Sequence, residues 1–300
     1  MNILITGGTG LIGAALTESL VKDSHEVIVL TRNPDRVKDV LPGVNRAKWD
    51  GKTAAGWGHL VEGVDAIVNL AGENLSAGRW TGTRKQRIRS SRINAGKAVV
   101  QAVENAGQKP IVVIQASGVG FYGVESPELV DESAPIGSDF LSHVSREWEA
   151  STQPVEAMGV RRVIIRTSVV LSKKGGALGL MLLPFRLFVG GPLGSGRQWM
   201  SWIHIEDEVR AIRYLIENEK ASGAFNLSAH SVTNAEFSTA AGKVMRRPNF
   251  FRVPAFVLRL VLGEMATMVL DGQRASSKKL TDLGFKFKFD RIEEALKDLT

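Results

Sequence analysis

The chain has 300 residues, 44% of them hydrophobic, with mean hydropathy of -0.01, enough to bury a sizeable core in one large domain or two lobes. It contains no cysteine, which excludes disulfides, thiolate chemistry and cysteine-based metal sites and fits a cytoplasmic setting. The net charge of +7 is scattered, with no aromatic-interleaved basic tract, so nucleic acid is not an expected partner.

The first apolar run, Asn2–Thr6, begins at residue 2 with no basic stretch before it, so it reads as a strand and not as a signal peptide. It runs straight into Gly7-Gly8-Thr9-Gly10-Leu11-Ile12-Gly13 and then into a helix over Leu11–Lys22, with apolar residues at Leu11, Ile12, Ala15, Leu16 and Leu20. Gly7, Gly10 and Gly13 have the GxxGxxG spacing of a dinucleotide-binding turn. One glycine permits the turn, one admits a pyrophosphate, and one lets helix and strand pack closely. The free N–H groups and positive end of the helix face the phosphates. Gly7, Thr9, Gly10, Leu11, Ile12 and Gly13 are therefore cofactor-binding candidates.

A second strand, Glu26–Thr31, ends Leu30-Thr31-Arg32-Asn33, with no acid until Asp35. An NAD-specific site carries a carboxylate near this position, where it accepts from the ribose 2′-hydroxyl. Here Arg32 offers a planar fork for a 2′-phosphate and Thr31 adds a hydroxyl, so NADP(H) is expected over NAD(H). Asp50 follows the third strand, Arg46–Trp49, within reach of an adenine amino group, although an acid there also caps a following turn. After the fourth strand, Ala66–Leu70, the small residues of Leu70-Ala71-Gly72 run along the cofactor. The densest basic run is Arg84-Lys85-Gln86-Arg87-Ile88-Arg89 with Arg92, on a helix over Thr83–Asn105. An anionic cofactor or substrate explains it, and Arg92 is counted with the cofactor site.

Strands at Ile111–Ser117 and Arg162–Thr167, with a helix over Phe140–Met158 between them, continue the alternation. The pattern predicts an α/β fold: a Rossmann-type, doubly wound parallel sheet with a smaller C-terminal α/β substrate lobe. Glycine pairs then bracket a helix near Leu178–Leu187. A helix at Ile205–Asn218 and a strand at Ala224–Leu227 follow. The tail holds a capping box, Thr233 and Glu236, for a helix through Val244. Further helices are expected at Pro254–Leu262, Lys279–Leu283 and Asp290–Leu299. The expected division is a dinucleotide-binding domain over 1–170, with 203–228 returning to it, and a smaller lobe from 171–202 and 229–300.

The passages TGGTGLIG (6–13), NLAG (69–72), SGVGFYG (117–123) and WIHIEDEVRAI (202–212) resemble an extended short-chain dehydrogenase/reductase. NLAGENL (69–75), RW (79–80), SR (91–92), WEA (148–150), GGALGLMLLPFRL (175–187) and TNAEF (233–237) resemble the atypical epimerase-like branch with its own C-terminal domain, across nearly the whole chain. The resemblance implies NADP(H) binding and hydride transfer on a substrate the branch leaves undefined. It also implies a Tyr with a Lys four residues later as proton-transfer pair, and a Ser or Thr after the fifth strand. This chain departs from that pattern. Tyr122 and Tyr214 are its two tyrosines, neither followed by Lys at the fourth position. By spacing, His143 and Glu147 take the Tyr and Lys slots. Three readings stay open: His143 as acid/base, Tyr122 reaching the substrate from its glycine turn, or loss of the usual chemistry. Ser117 is the candidate for the retained hydroxyl.

His204 and Asp207 invite a catalytic dyad, but the resemblance makes their stretch structural. Without cysteine or paired histidines at ligand spacing, no metal site is expected. Arg79, Trp80 and Arg197 are candidates for the substrate cleft. The expected partner is a small, anionic or nucleotide-linked molecule, with no membrane partner and with a homo-oligomer left open. The expected function is that of an NADP(H)-binding oxidoreductase or epimerase. The rival is a sensor that binds NADP(H) without the usual catalysis.

Overall fold

The computed structural model describes residues 1–34, 43–124 and 128–300. Asp35 lies outside them. The first five strands are β1 (Asn2–Thr6), β2 (Glu26–Thr31), β3 (Val44–Lys48), β4 (Ala66–Asn69) and β5 (Val112–Gly118). After a short β6 (Leu129–Val130) come β7 (Arg161–Thr167), β8 (Val169–Leu171), β9 (Trp199–Met200), β10 (Trp202–His204), β11 (Gly223–Leu227), β12 (Val232–Thr233) and β13 (Arg274–Ala275). Seven of these form one parallel sheet in the order β3-β2-β1-β4-β5-β7-β11. The pairs β8–β10, β9–β12 and β6–β13 stand apart from it.

The helices are α1 (Leu11–Lys22), α2 (Gly82–Asn105), α3 (Phe140–Ala150), α4 (Pro154–Ala157), α5 (Leu178–Arg186), α6 (Ile205–Glu217), α7 (Asn234–Met245), α8 (Ala255–Leu262), α9 (Thr267–Leu270), α10 (Lys278–Asp282) and α11 (Ile292–Leu299). Successive strand residues point to opposite faces. Ile3, Ile5, Val68, Ile114 and Ile165 therefore meet Leu16 and Leu20 of α1 and Ile212 and Leu215 of α6. Leu4, Ile67 and Val113 meet Ala95, Val99 and Val103 of α2 on the other face. Burial on both faces explains why these strands read as continuous apolar runs.

The helix expected over Phe140–Met158 is two helices. Proline has no N–H to donate to the carbonyl four residues before it, here that of Ala150, and is well placed in a helix's first turn. Pro154 accordingly opens α4, while α3 stops at Ala150. A second core gathers Leu178, Leu182 and Phe185 of α5 with Phe237 and Ala241 of α7 and Leu296 and Leu299 of α11. Thr233 and Glu236 close the expected capping box at the start of α7. Leu280 and Phe285, at α10, pack instead into the core of the main sheet. None of the eight residues of α8 is buried. Among the described residues no helix is long and apolar enough to cross a membrane.

The chain runs outward from β1 to β3 and then returns to β4 on the other side of β1. Order reverses there, and the crevice outside the carboxyl ends of β1 and β4 is where such sheets take ligands.

Candidate functional site

Gly7 turns the chain out of β1 with φ +70. A Cβ on it would stand 2.9 Å from the carbonyl carbon of Leu70, so the loops after β1 and β4 touch through backbone. Gly13 packs α1 onto this turn: its Cβ would lie 2.4 Å from the Gly7 oxygen and 2.6 Å from the Gly8 Cα. Gly10 differs. It is exposed, its dihedrals (φ -78, ψ 176) suit any residue, and its N–H donates to the Gly7 carbonyl at 2.9 Å. No side chain caps α1, so its first-turn N–H groups open on the crevice beside Thr9, Leu11 and Ile12. A close-packed glycine turn with an uncapped helix start fits a dinucleotide pyrophosphate.

Thr31 and Arg32 end β2 beside this opening. Arg32 is exposed, and its Cδ lies 4.0 Å from where a Gly51 Cβ would stand. Asp50 is occupied locally: it accepts from the N–H groups of Lys52 (2.7 Å) and Thr53 (2.9 Å) and from the Thr53 hydroxyl (2.9 Å). The Thr53 and Lys52 N–H groups hold its carboxyl below the usual range. On the other side, a polar row crosses the sheet. Thr6 donates to Asn69 (2.6 Å), Asn69 to Gln115 (2.8 Å), and the Thr6 oxygen also accepts from the Ala71 N–H (3.2 Å). This row fixes Leu70 and Ala71 against Gly7.

The basic cluster on α2, the exposed Arg87 apart, is spent internally. Arg92 is buried, donates to the carbonyls of Glu73 (3.1 Å) and Ile88 (3.0 Å), and stacks 4.9 Å over Trp148. Desolvation lowers its pKa to about 10. Arg84 pairs with Glu73 at 2.8 Å and holds the Asn74 carbonyl. Lys85 pairs with Glu264 and Arg89 with Glu147. Arg92 thus pins the loop after Gly72 with its guanidinium turned into protein, which differs from the anion-facing role expected of it.

The three candidate catalytic residues do not converge. Parallel register aligns Ser117, Arg166 and Asn226 across β5, β7 and β11 on one face. Arg166 grips Glu149 of α3 with two bonds (2.9 and 3.0 Å), and Ser117 donates to the same carboxylate at 2.7 Å. Arg166 also donates to the Tyr122 oxygen (3.0 Å), and the Tyr122 hydroxyl donates to Asn226 Oδ1 (2.7 Å). Asn226 in turn donates to the Ser276 carbonyl at 2.9 Å. Tyr122 is buried, and burial raises its pKa. Both hydroxyls proposed for chemistry are therefore members of a closed structural network.

His143 lies on the exposed side of α3, six residues from Glu149 and so turned about 240° around the helix from it. The stripe of α3 that faces β5 carries Leu141, Ser145 and Glu149 at i, i+4 and i+8. Leu141 lies 3.5 Å from where a Gly120 Cβ would stand. Leu141 and Ser145 have the four-residue spacing of a Tyr–Lys pair on this side of the helix, and neither can act as acid or base. His143 and Glu147, placed in those slots by spacing, stand two residues further along and off this stripe.

On the substrate side, Arg79 donates to the Leu260 carbonyl of α8. Trp80 is buried with Ile88 and Val144, edge-on to Phe140 at 5.4 Å, and its N–H donates to the Leu75 carbonyl at 3.0 Å. No face of the indole is open to a base. Arg197 alone of the three remains exposed with no side-chain partner among the described residues. His204 caps α6 through Nδ1 (3.1 Å to the Glu206 N–H) and stacks on Phe289 at 3.9 Å. Asp207 accepts from the N–H groups of Lys288 (2.9 Å) and Phe289 (2.8 Å). Among the described residues no cluster of three or more His, Asp or Glu is placed to hold a metal.

Sequence reasoning missed Arg166 and Glu149, whose signal is a charge inside an apolar strand and on a buried helix face. It also missed Glu208, which is fully buried on α6 and takes a bond from the Thr167 hydroxyl at 2.7 Å, its second oxygen unpartnered. Burial pushes its carboxyl to about 8.

Residues 3–228 match the family model described as NAD dependent epimerase/dehydratase family, and residues 253–299 match a domain of unknown function, DUF1731. The chain is 42% identical over 301 residues to the epimerase family protein YfhF of Bacillus subtilis, covering 100% of this chain and 98% of that one. It is 39% identical to the chloroplastic epimerase family protein SDR39U1 homolog of Arabidopsis thaliana, covering 99% and 86%. The crystal structure of human epimerase family protein SDR39U1 (isoform 2) with NADPH superposes with a TM-score of 0.90 at 36% identity, covering 100% of this chain and 99% of the other.

Four outcomes follow from this geometry. Gly10→Ala should keep the fold and lower NAD(P)H affinity by about tenfold, read by calorimetric titration, because its Cβ narrows the phosphate opening. Gly13→Val instead unfolds at markedly lower temperature, since its Cβ overlaps backbone. Tyr122→Phe strands Asn226 and Arg166 and costs about 1–3 kcal/mol of stability in denaturant titration, with NADPH affinity unchanged. For Glu208 the folded state holds a proton that the unfolded chain releases above its ordinary 4.5. Its contribution is therefore complete at low pH and is lost as pH rises through about 8. Glu208→Gln should gain on the wild type by on the order of 3–4 kcal/mol between roughly pH 5 and 8, measured by melting at both. Parallel pH dependence in the two proteins would show that Glu208 does not titrate in this way.

Proposed function

The chain belongs to the NAD dependent epimerase/dehydratase family, and on that premise we propose that it is an NADP(H)-dependent oxidoreductase or epimerase for a small, anionic or nucleotide-linked substrate. The observation that carries this reading is the uncapped glycine cradle of Gly7–Gly13 with Arg32 at the neighbouring strand end. Thr9, Gly10, Leu11 and Ile12 would hold the pyrophosphate, Thr31 and Arg32 the 2′-phosphate, Asp50 the adenine edge, and Leu70, Ala71 and Gly72 the length of the cofactor. The nicotinamide, when bound, supplies or takes up hydride. The NADPH carried by the human relative supports the cofactor choice, and the exposed Arg197 supports an anionic substrate. The proton that accompanies hydride would come from a substrate group or bound water, since Ser117 and Tyr122 are hydrogen-bonded inside the protein and His143 faces away. A cytoplasmic enzyme is part of the same reading, with a homo-oligomer left open.

One observation favours a second reading. With Leu141 and Ser145 on the stripe where a proton-transfer pair belongs, NADP(H) occupancy itself would be the output, and the protein would be a sensor.

Titration calorimetry should show NADPH binding tighter than NADH by on the order of ten- to a hundredfold, the worth of a charge-assisted bond to the 2′-phosphate. Arg32→Asp should reverse that order, and equal affinities in the wild type would place Arg32 in solvent. Screening the NADPH-loaded protein against simple carbonyls should show loss of the reduced nicotinamide absorbance. Incubating the NADP+-loaded protein with sugar nucleotides should yield an epimer seen by product analysis, because hydride that leaves and returns gives no net absorbance change. On any substrate found, His143→Gln should leave turnover and its pH profile unchanged. Tight NADPH binding with no turnover across the screen would move the conclusion to the sensor.

A further inference from the structure

The surface of the C-terminal lobe exposes large apolar side chains that nothing in the proposed function uses. α5 ends in Leu187 and Phe188, both exposed, and Phe250 beyond α7 is 73% exposed. α8 projects Phe256 (70%) and Leu260 (74%), four residues apart on one face, with Val261 beside them. These are one region of surface. The Phe251 N–H donates to the Gly190 carbonyl (3.1 Å), Val253 to Pro192 (3.1 Å) and Gly194 to Val253 (2.8 Å), zipping the chain after α5 to the chain before α8. Arg247 lies 4.2 Å over the Phe188 ring. Scattered apolar residues need no explanation, but large exposed apolar side chains gathered on adjoining segments mark an interaction surface.

The charge around it is one-sided. There is no Asp or Glu between Glu156 and Glu206, nor between Glu236 and Glu264. The second of these stretches carries Lys243, Arg246, Arg247, Arg252 and Arg259. Lys243 pairs with Glu293, whereas Arg252 and Arg259 have no acidic partner among the described residues and are exposed. An isologous contact with a second copy would set this cationic fringe against itself. The apolar side chains also protrude rather than line a groove, which suits a deformable surface better than a shaped protein partner. α8 is about 12 Å long, far too short to span a hydrocarbon core and of a length to lie within its interface.

We propose that the face formed by α5, Phe250 and α8 docks on an anionic lipid surface, with Phe256 and Leu260 inserted and Arg252 and Arg259 on the headgroups. The contact is peripheral, without a spanning helix among the described residues, and it departs from the sequence-based expectation of no membrane partner.

Co-sedimentation of the full chain with vesicles tests it. The protein should pellet with phosphatidylcholine vesicles that contain phosphatidylglycerol, should stay in the supernatant with pure phosphatidylcholine, and should be released by raised salt. Phe256→Ser combined with Leu260→Ser should weaken partitioning at least about tenfold. Arg252→Glu combined with Arg259→Glu should weaken it at least about twentyfold. Both variants should keep the wild-type melting temperature and NADPH affinity, because the altered side chains are exposed. The proposal is overturned by absence of pelleting with anionic vesicles at low salt, by equal pelleting with neutral ones, or by pelleting that neither variant reduces. It is equally overturned if light scattering finds a stable dimer that the Phe256→Ser, Leu260→Ser variant separates, since a second copy would then cover this face.

Discussion

The buried pair of Arg166 and Glu149 decides what the site can do. Two charges removed from water at the carboxyl end of the sheet are tolerable only if every donor and acceptor is matched. The fork of Arg166 takes both oxygens of Glu149, and the remaining capacity is filled by Ser117 and Tyr122. Removing one partner would leave an uncompensated charge, at a cost of about 3–5 kcal/mol. The pair therefore fixes α3 on β5 and β7, holds the turn that carries Tyr122, and aims both hydroxyls inward. The price is chemical: groups that resemble reagents in the sequence are the mortar of the floor beneath the crevice.

Cofactor binding is built from different material. The cradle depends on backbone meeting backbone, with Gly7 against Leu70 and Gly13 against Gly7, and involves no ionisable group. It sits over β1 and β4, whereas the Arg166 network sits over β5, β7 and β11. The row Thr6–Asn69–Gln115 joins the two regions through neutral hydrogen bonds. Nucleotide binding and proton transfer are thus separable in this fold, and a chain can retain the first intact while the second is rebuilt. This separation is why Leu141 and Ser145 can occupy the α3 stripe without disturbing the glycine turn.

The fold was legible because its signals are local. Apolar runs buried on both faces, a glycine turn between strand and helix, and the Thr233–Glu236 box each need only a few neighbouring residues. The break of the Phe140–Met158 helix at Pro154 was equally local and should have been read from the proline. The candidate site was legible only where backbone carries it. Which way Ser117 points is decided by its partner on α3, 32 residues away, and by Arg166 on a neighbouring strand. The phase of α3 is set by packing, so a motif slot assigned by spacing alone placed His143 where the helix turns outward. Glu208 gave no signal, because an acid in the run Glu206-Asp207-Glu208 reads as a charged helix start until the fold buries the second and third of them.

The substrate side shows the same exchange of appearance for use. Arg79 and Lys85 look like ligands for an anion, yet Arg79 holds the end of α8 and Lys85 meets Glu264 just beyond it. Trp80 supports them from below, with Met265 packed against its cluster. Together they clasp the C-terminal segment to the first turn of α2. That explains how α8 can keep its place with no fully buried side chain: its end and the residues after it are tethered, Ala255, Leu258 and Leu262 are half-buried, and Phe256, Arg259, Leu260 and Val261 are left exposed. The recognition surfaces of this chain are therefore to be sought where side chains are unspent, at Arg197 and along α8, and not where the basic residues are densest.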